Sequence, residues 1–312
     1  MNLHLNKELF KDFINNLNAR TGIDPDIIEK DYYVCTILYE LAKNQDELKA
    51  YFKGGTALYK ILGTTNRFSE DIDLTVKVVE EQSNTKNRNR LKQSAMGYKI
   101  EGLELSKNEC IDYKGSVTGI YRYNSVYDIT QNSLHRAGII QVEATSFTVS
   151  EPYKLYSIEP LIYNLSNENE RKILKEKFNI SSFDINIIKL ERIFIDKIFA
   201  IEFYYIREMY KDTAKHLYDI SIMIQTKEIQ TLMKNKKELN QLVLYKRQEE
   251  SIRKGGIDSN LQIKDFTYFK KEFNDELLKE FDNMQNKYIL NDKFKINIEN
   301  VKETIDEVYN MF

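Results

Sequence analysis

Cysteine, proline and net charge are all scarce in this 312-residue chain, and no long apolar run occurs in it. Two cysteines, Cys35 and Cys110, make no disulfide framework and lack metal-ligand spacing, so they read as small apolar side chains in a reducing compartment. No stretch approaches the roughly 20 apolar residues that a membrane span needs. The N-terminus mixes polar and acidic residues early and does not read as a secretory signal. A cytoplasmic location is therefore expected, with no membrane partner. The three prolines are scattered, and no internal repeat is found. A net charge of −2 gives no global attraction to nucleic acid, so such a partner would have to be held by local patches.

Two basic clusters are present. Lys86, Arg88, Arg90 and Lys92 form one; Lys234, Lys236, Lys237, Lys246, Arg247, Arg253 and Lys254 form the other. Solvated helix faces explain both more readily than a nucleic-acid footprint does. A hydrophobic content of 42% with 30% charged residues is that of a soluble globular chain able to bury a sizeable core.

Asp24 and Pro25 open a helix as N-cap and first helical residue, and apolar positions continue it through Leu41. Residues 50–53 read as a short strand entering Gly54-Gly55, with a short helix from Thr56 to Leu62. Asp71 to Val78 alternates as a strand. Further strands are expected at 99–105, 116–123, 139–147 and 153–158, largely antiparallel. From about residue 167 the pattern turns helical, including a long helix over 187–209. The expectation is an α+β fold: a first domain over 1–165 with a mixed sheet flanked by helices, and a helical domain over 166–312.

Chemistry concentrates in two segments. Gly54 and Gly55 let the backbone turn sharply between strand and helix, and the helix that follows directs free amides at an anion. By itself a tight turn with no ligand accounts for this pair better. The second segment, Asp71-Ile72-Asp73-Leu74-Thr75-Val76, places Asp71, Asp73 and Thr75 on one face and the apolar residues on the other. Two carboxylates about 7 Å apart along a strand repel unless a cation joins them, and hard oxygen donors suit Mg²⁺ carrying a nucleotide's phosphates. Glu143, in Ile139–Thr145, is a candidate third carboxylate, with a solvent-facing glutamate as the equal alternative; Asp112 and Asp128 lie in segments that look like turns.

Together these residues resemble the polymerase-β-type nucleotidyltransferase superfamily. The strings Lys53-Gly54-Gly55-Thr56-Ala57-Leu58 and Arg67-Phe68-Ser69-Glu70-Asp71-Ile72-Asp73-Leu74, with Ile28-Glu29-Lys30-Asp31-Tyr32-Tyr33, more closely resemble the AbiEii/AbiGii toxin family. Two helical segments extend the likeness. Lys197 lies in line with Ile193, Ala200 and Ile201, where snorkelling is the ordinary explanation for a lysine. Asp219 sits among Leu217, Tyr218 and Ile220, with His216 one turn earlier. The resemblance implies that Lys197 contacts the triphosphate, that Asp219 is required for activity, and that Ser69 lies before the Asp pair. It makes Asp71, Asp73, Glu143, Lys197 and Asp219 the candidate catalytic residues. Gly54, Gly55, Thr56, Lys60, Arg67, Ser69 and Lys197 are the candidate nucleotide-binding residues, and Asp71, Asp73 and Glu143 the candidate Mg²⁺ ligands.

The implied activity is transfer of a nucleotide from an NTP, GTP or CTP, to RNA such as a tRNA end. The implied setting is a bacterial toxin–antitoxin or phage abortive-infection system, with an antitoxin that acts with or without direct contact. A small-molecule (antibiotic) nucleotidyltransferase and a non-catalytic nucleotide- or RNA-binding module stand as the alternatives.

Overall fold

The computed structural model describes residues 1–63, 67–130, 134 and 136–312. The chain divides into two compact units, Met1–Thr64 with Ser69–Ile188, and Thr65–Phe68 with Lys189–Phe312. Among the described residues no helix is long and apolar enough to cross a membrane.

The first unit opens with helices α1 (Lys7–Thr21) and α2 (Pro25–Leu48). Pro25 takes the first helical position of α2, as its fixed φ and missing N–H favour. Strand β1 (Ala50–Lys53) then runs into helix α3 (Gly54–Leu62), which begins at the glycine pair itself, two residues earlier than expected. Strand β2 (Ile72–Val76) is followed by helix α4 (Asn84–Met96). Next come β3 (Leu103–Leu105), β4 (Ile111–Tyr113), β5 (Ser116–Tyr123), β6 (Ile139–Thr145) and β7 (Tyr153–Ile158). Helices α5 (Leu161–Asn164) and α6 (Glu168–Phe178) lead to β8 (Phe183–Ile188).

These strands form one mixed sheet in the order β3-β5-β6-β2-β1-β8-β7, with β4 also paired to β5. β1 is antiparallel to β2, whereas β2 with β6 and β1 with β8 are parallel. The α+β class is thus as expected. β4 occupies a segment read as a turn, since its three residues Ile111, Asp112 and Tyr113 are all exposed and give no burial signal.

The boundary near residue 165 and the uninterrupted helical stretch beyond it need correction. Phe183, Ile185 and Ile187 alternate with Asp184 and Asn186, and this strand docks between β1 and β7 in the sheet. The apolar pair Ile187-Ile188 abuts Leu190, so the strand's end blurs into the stripe of the next helix. The units therefore part at Ile188/Lys189.

The second unit is helical: α7 (Leu190–Tyr205), α8 (Tyr210–Met223), α9 (Lys227–Lys234), α10 (Lys236–Ile252), α11 (Asp275–Tyr288) and α12 (Ile298–Met311). Local chemistry marks their starts. The side chains of Thr226, Asn235, Asn274 and Asn297 each accept a backbone N–H of the first turn of α9, α10, α11 and α12. A buried ion network ties α7 to α10: Arg192 meets Glu249 at 2.6 Å and Asp196 at 3.1 Å, and Lys246 meets Glu250 at 2.7 Å. The segment Arg67–Phe68 joins this unit through Phe68 N–H, which donates to Tyr288 O at 2.7 Å.

Candidate active site

In the first unit the sheet register assembles the carboxylates. Asp73 of β2 is the direct partner of Glu143 on β6, and of Lys53 on β1. Side chains at paired positions share a face, so Lys53, Asp73 and Glu143 form a row across three strands, neighbours being about 5 Å apart. Thr75 and Thr145 form the next row on the same face, bridged by Thr148 at 2.8 and 2.9 Å. Ile72 and Leu74 point the other way and are fully buried. The strand period thus does what was expected of it, and the long-range register places Glu143 beside Asp73.

Gly54 is fitted to Asp73. Its φ is +82°, a conformation that a side chain strains, and a Cβ built there would lie 2.0 Å from Asp73 Oδ2. The carboxylate therefore packs directly on the glycine that begins α3. Lys53, at the N-cap position, makes no capping hydrogen bond, so no side chain there competes for the first-turn amides of α3. Thr56 is buried and its hydroxyl donates to Ser69 Oγ at 3.1 Å, which fixes Ser69 against the start of the same helix.

Asp71 is held differently. Arg136 grips it with two bonds, Nη1 to Oδ1 at 2.7 Å and Nη2 to Oδ2 at 2.8 Å. Burial pushes the Asp71 carboxyl up from its ordinary value, and the Arg136 charge opposes that rise. Behind this pair lies Lys30 of α2, whose ammonium donates to the backbone carbonyls of Arg136, at 2.6 Å, and Ile139. Burial lowers the Lys30 pKa to about 8, against the pull of Glu70, 3.7 Å away. Among the described residues, no three His, Cys, Asp or Glu side chains converge as a metal-holding group. Asp73 and Glu143 share a face, and the Asp71 carboxylate is turned onto Arg136. Their donor chemistry, carboxylate oxygen throughout, still suits a hard divalent cation.

Lys60 is not brought to this face. Its ammonium is buried against Asp31 at 2.5 Å and donates to Glu159 O at 3.0 Å, an ion pair linking α3 to α2. Burial works against its charge, and Asp31 more than restores it. The run Glu29-Lys30-Asp31 is thus a set of three buried charged residues in the second turn of α2, just before the apolar stretch from Tyr32 to Leu38. That placement was visible in the sequence as the signal for Lys30 and for the Lys60 partner. Arg136 had no comparable signal, lying between two expected strands.

In the second unit a separate charge cluster forms around Asp219 of α8. Arg67 Nε and Nη2 donate to its two oxygens at 3.0 and 3.1 Å, and Lys197 Nζ of α7 meets Oδ2 at 2.8 Å. His216 completes the cluster, with Nδ1 3.2 Å from Lys197 Nζ. Despite complete burial, the Arg67 and Lys197 charges hold the Asp219 carboxyl well below the usual carboxylate range. Burial, reinforced by the Lys197 charge, lowers the His216 pKa to about 4, so the imidazole is neutral at neutral pH. Arg67 and Lys197 thus share one buried counter-ion, and Lys197 does not snorkel to solvent.

The basic clusters are largely occupied within the fold. Arg90 is buried and donates to Lys77 O, while Arg88 and Lys92 both pair with Asp112 at 3.0 and 2.7 Å. In the second cluster Lys246 is paired with Glu250, and Arg247 donates to Ser259 O. Lys86, Lys234, Lys237 and Lys254 remain exposed.

A glycine turn opening a helix, against an Asp-x-Asp strand with a third carboxylate in register, on a mixed sheet, is the arrangement of a nucleotidyltransferase. Comparison with protein families agrees: residues 36–307 match the family described as nucleotidyl transferase AbiEii toxin, type IV TA system. The chain belongs to the AbiEii nucleotidyl transferase toxin family. No curated protein matches the chain.

Proposed function

We propose that the chain transfers a nucleoside monophosphate from GTP or CTP to an RNA acceptor such as tRNA, as the toxin of a toxin–antitoxin or phage-defence system in the cytoplasm. The observation that carries the catalytic half of this reading is the register of Asp73 with Glu143, against Gly54. Asp71, Asp73 and Glu143 would hold Mg²⁺, which when bound supplies charge neutralisation at the reacting phosphate. The first-turn amides of α3, at Gly54, Gly55 and Thr56, with the Ser69 hydroxyl, are suited to the triphosphate tail.

The family resemblance supports Lys197 as the lysine that meets the triphosphate. Asp219 serves as its orienting partner rather than as a base, since a carboxylate bound by two cations and held below its usual pKa accepts protons poorly. Arg67 shares that orienting role. Family membership supports an antitoxin partner. The RNA acceptor is supported by the toxin class and by the exposed lysines that remain in the two basic clusters.

The test incubates the protein, Mg²⁺ and each α-labelled NTP with total bacterial RNA. Label is expected in tRNA, lost in Asp73→Ala, and reduced at least about 100-fold in Asp219→Asn. Transfer to an aminoglycoside with no labelled RNA would overturn the acceptor; NTP binding without any transfer would overturn the catalytic reading.

A further inference from the structure

The grip of Arg136 on Asp71 leaves two other buried groups unfinished. Among the described residues, Arg136 Nε and Glu70 Oε2 are both buried and have no hydrogen-bond partner, the ammonium of Lys30 standing 3.7 Å from Glu70 Oε2. They belong to side chains that face each other, with Arg136 Nε 3.9 Å from Glu70 Oε1, beyond hydrogen-bond reach. A buried polar atom without a partner is destabilising, so native proteins rarely keep one without a use for it. Here the two orphans would satisfy each other if the guanidinium turned from Asp71 to Glu70.

Lys30 binds the carbonyls of Arg136 and Ile139 and so pins the main chain at the root of the side chain. Gln141 Oε1, which accepts from Arg136 Nη1 at 2.8 Å, stands beside the pivot on the β6 face that carries Glu143. Glu70 is adjacent to Asp71 in the chain, so the guanidinium exchanges one carboxylate for its neighbour while its planar two-pronged match to a carboxylate is kept.

We propose that Arg136 is an internal counter-cation with two resting places, Asp71 and Glu70, and that a divalent ion competes with it for Asp71 and drives it to Glu70. This rests on the reading of Asp71, Asp73 and Glu143 as the cation ligands. Arg136 acts through Asp71 and is a positioning residue. Its consequence is that the protein alone binds a divalent cation weakly, because the ion must displace a bidentate arginine. The mutual repulsion of the three carboxylates is meanwhile quenched without an ion.

The experiment titrates Mn²⁺ into the full-length protein without nucleotide, following binding by calorimetry and by the electron paramagnetic resonance of free Mn²⁺. Arg136→Gln is expected to tighten Mn²⁺ at least about tenfold. Arg136→Lys, which keeps the charge but loses the fork, should fall between it and wild type, and it serves the same test if the glutamine variant folds poorly. Glu70→Gln is expected to weaken Mn²⁺ binding several-fold in the wild-type background and to change it much less in Arg136→Gln, since Glu70 acts by receiving the arginine. Equal effects in both backgrounds would overturn the two-place exchange. Binding lost in Asp73→Asn but not tightened by either Arg136 variant overturns the latch alone. Binding that survives Asp73→Asn overturns the cation-site reading, and the latch with it.

Discussion

Gly54→Ala tests the fit between α3 and Asp73, because two separable effects converge on that one position. The first is backbone strain: at φ +82° an alanine costs about 1–2 kcal/mol relative to glycine. The second is contact. The new Cβ would stand 2.0 Å from Asp73 Oδ2, and even a separation of 3.0 Å requires 3.0 − 2.0 = 1.0 Å of displacement. Asp73 Cβ itself lies 3.0 Å away, so turning the carboxylate aside does not relieve all of the crowding. A shift of that size in a catalytic group can lower the rate about 100-fold. Gly22→Ala is the control, since Gly22 has φ +72° and a Cβ added there would meet nothing within 4 Å, so it reports strain alone. Both variants should lose about 1–2 kcal/mol in denaturant unfolding, Gly54→Ala somewhat more, while only Gly54→Ala should lose nucleotidyl transfer about 100-fold. Equal activity in the two variants would refute the argument that the glycine exists to admit Asp73.

Lys60→Met should destabilise the protein by about 3–5 kcal/mol by leaving Asp31 buried without its partner, and Lys60→Met with Asp31→Leu should recover much of that loss in urea unfolding. If instead Lys60→Met unfolds like wild type and weakens NTP binding, the lysine belongs to the nucleotide after all. For His216 the folded pKa, about 4, lies below the ordinary 6.5, so the unfolded chain takes up the proton first. The stability lost to this group therefore grows as pH falls from 6.5 to about 4, reaching about 1–2 kcal/mol by pH 5 once partial exposure is allowed for. His216→Gln should show a shallower fall in unfolding free energy between pH 7 and pH 5 than wild type, and parallel curves would contradict the buried neutral imidazole.

Local chemistry explains which of these features a reader of the sequence meets first. The proline opening α2 and the alternation of Asp71, Asp73 and Thr75 both depend on residues within one turn or one strand. β8 escaped that reading because its apolar end runs into Leu190, and β4 because it buries nothing. Lys60 looked like part of a phosphate loop because it follows the glycine pair by one and a half helical turns. Its direction was set by Asp31, 29 residues earlier, which offers a buried carboxylate.

The sequence by itself determined that two aspartates share a strand face beside a glycine turn, because a period of two is a property of the strand alone. Only the tertiary structure decided that Glu143 stands level with Asp73, since register between β2 and β6 depends on how strands 70 residues apart align in the sheet. It also decided that Arg136 holds Asp71, through pairing that no spacing encodes. And it gave Asp219 two cations at once, a coincidence of α7, α8 and the Arg67 segment that turns an aspartate in an apolar helix into a fixed negative charge.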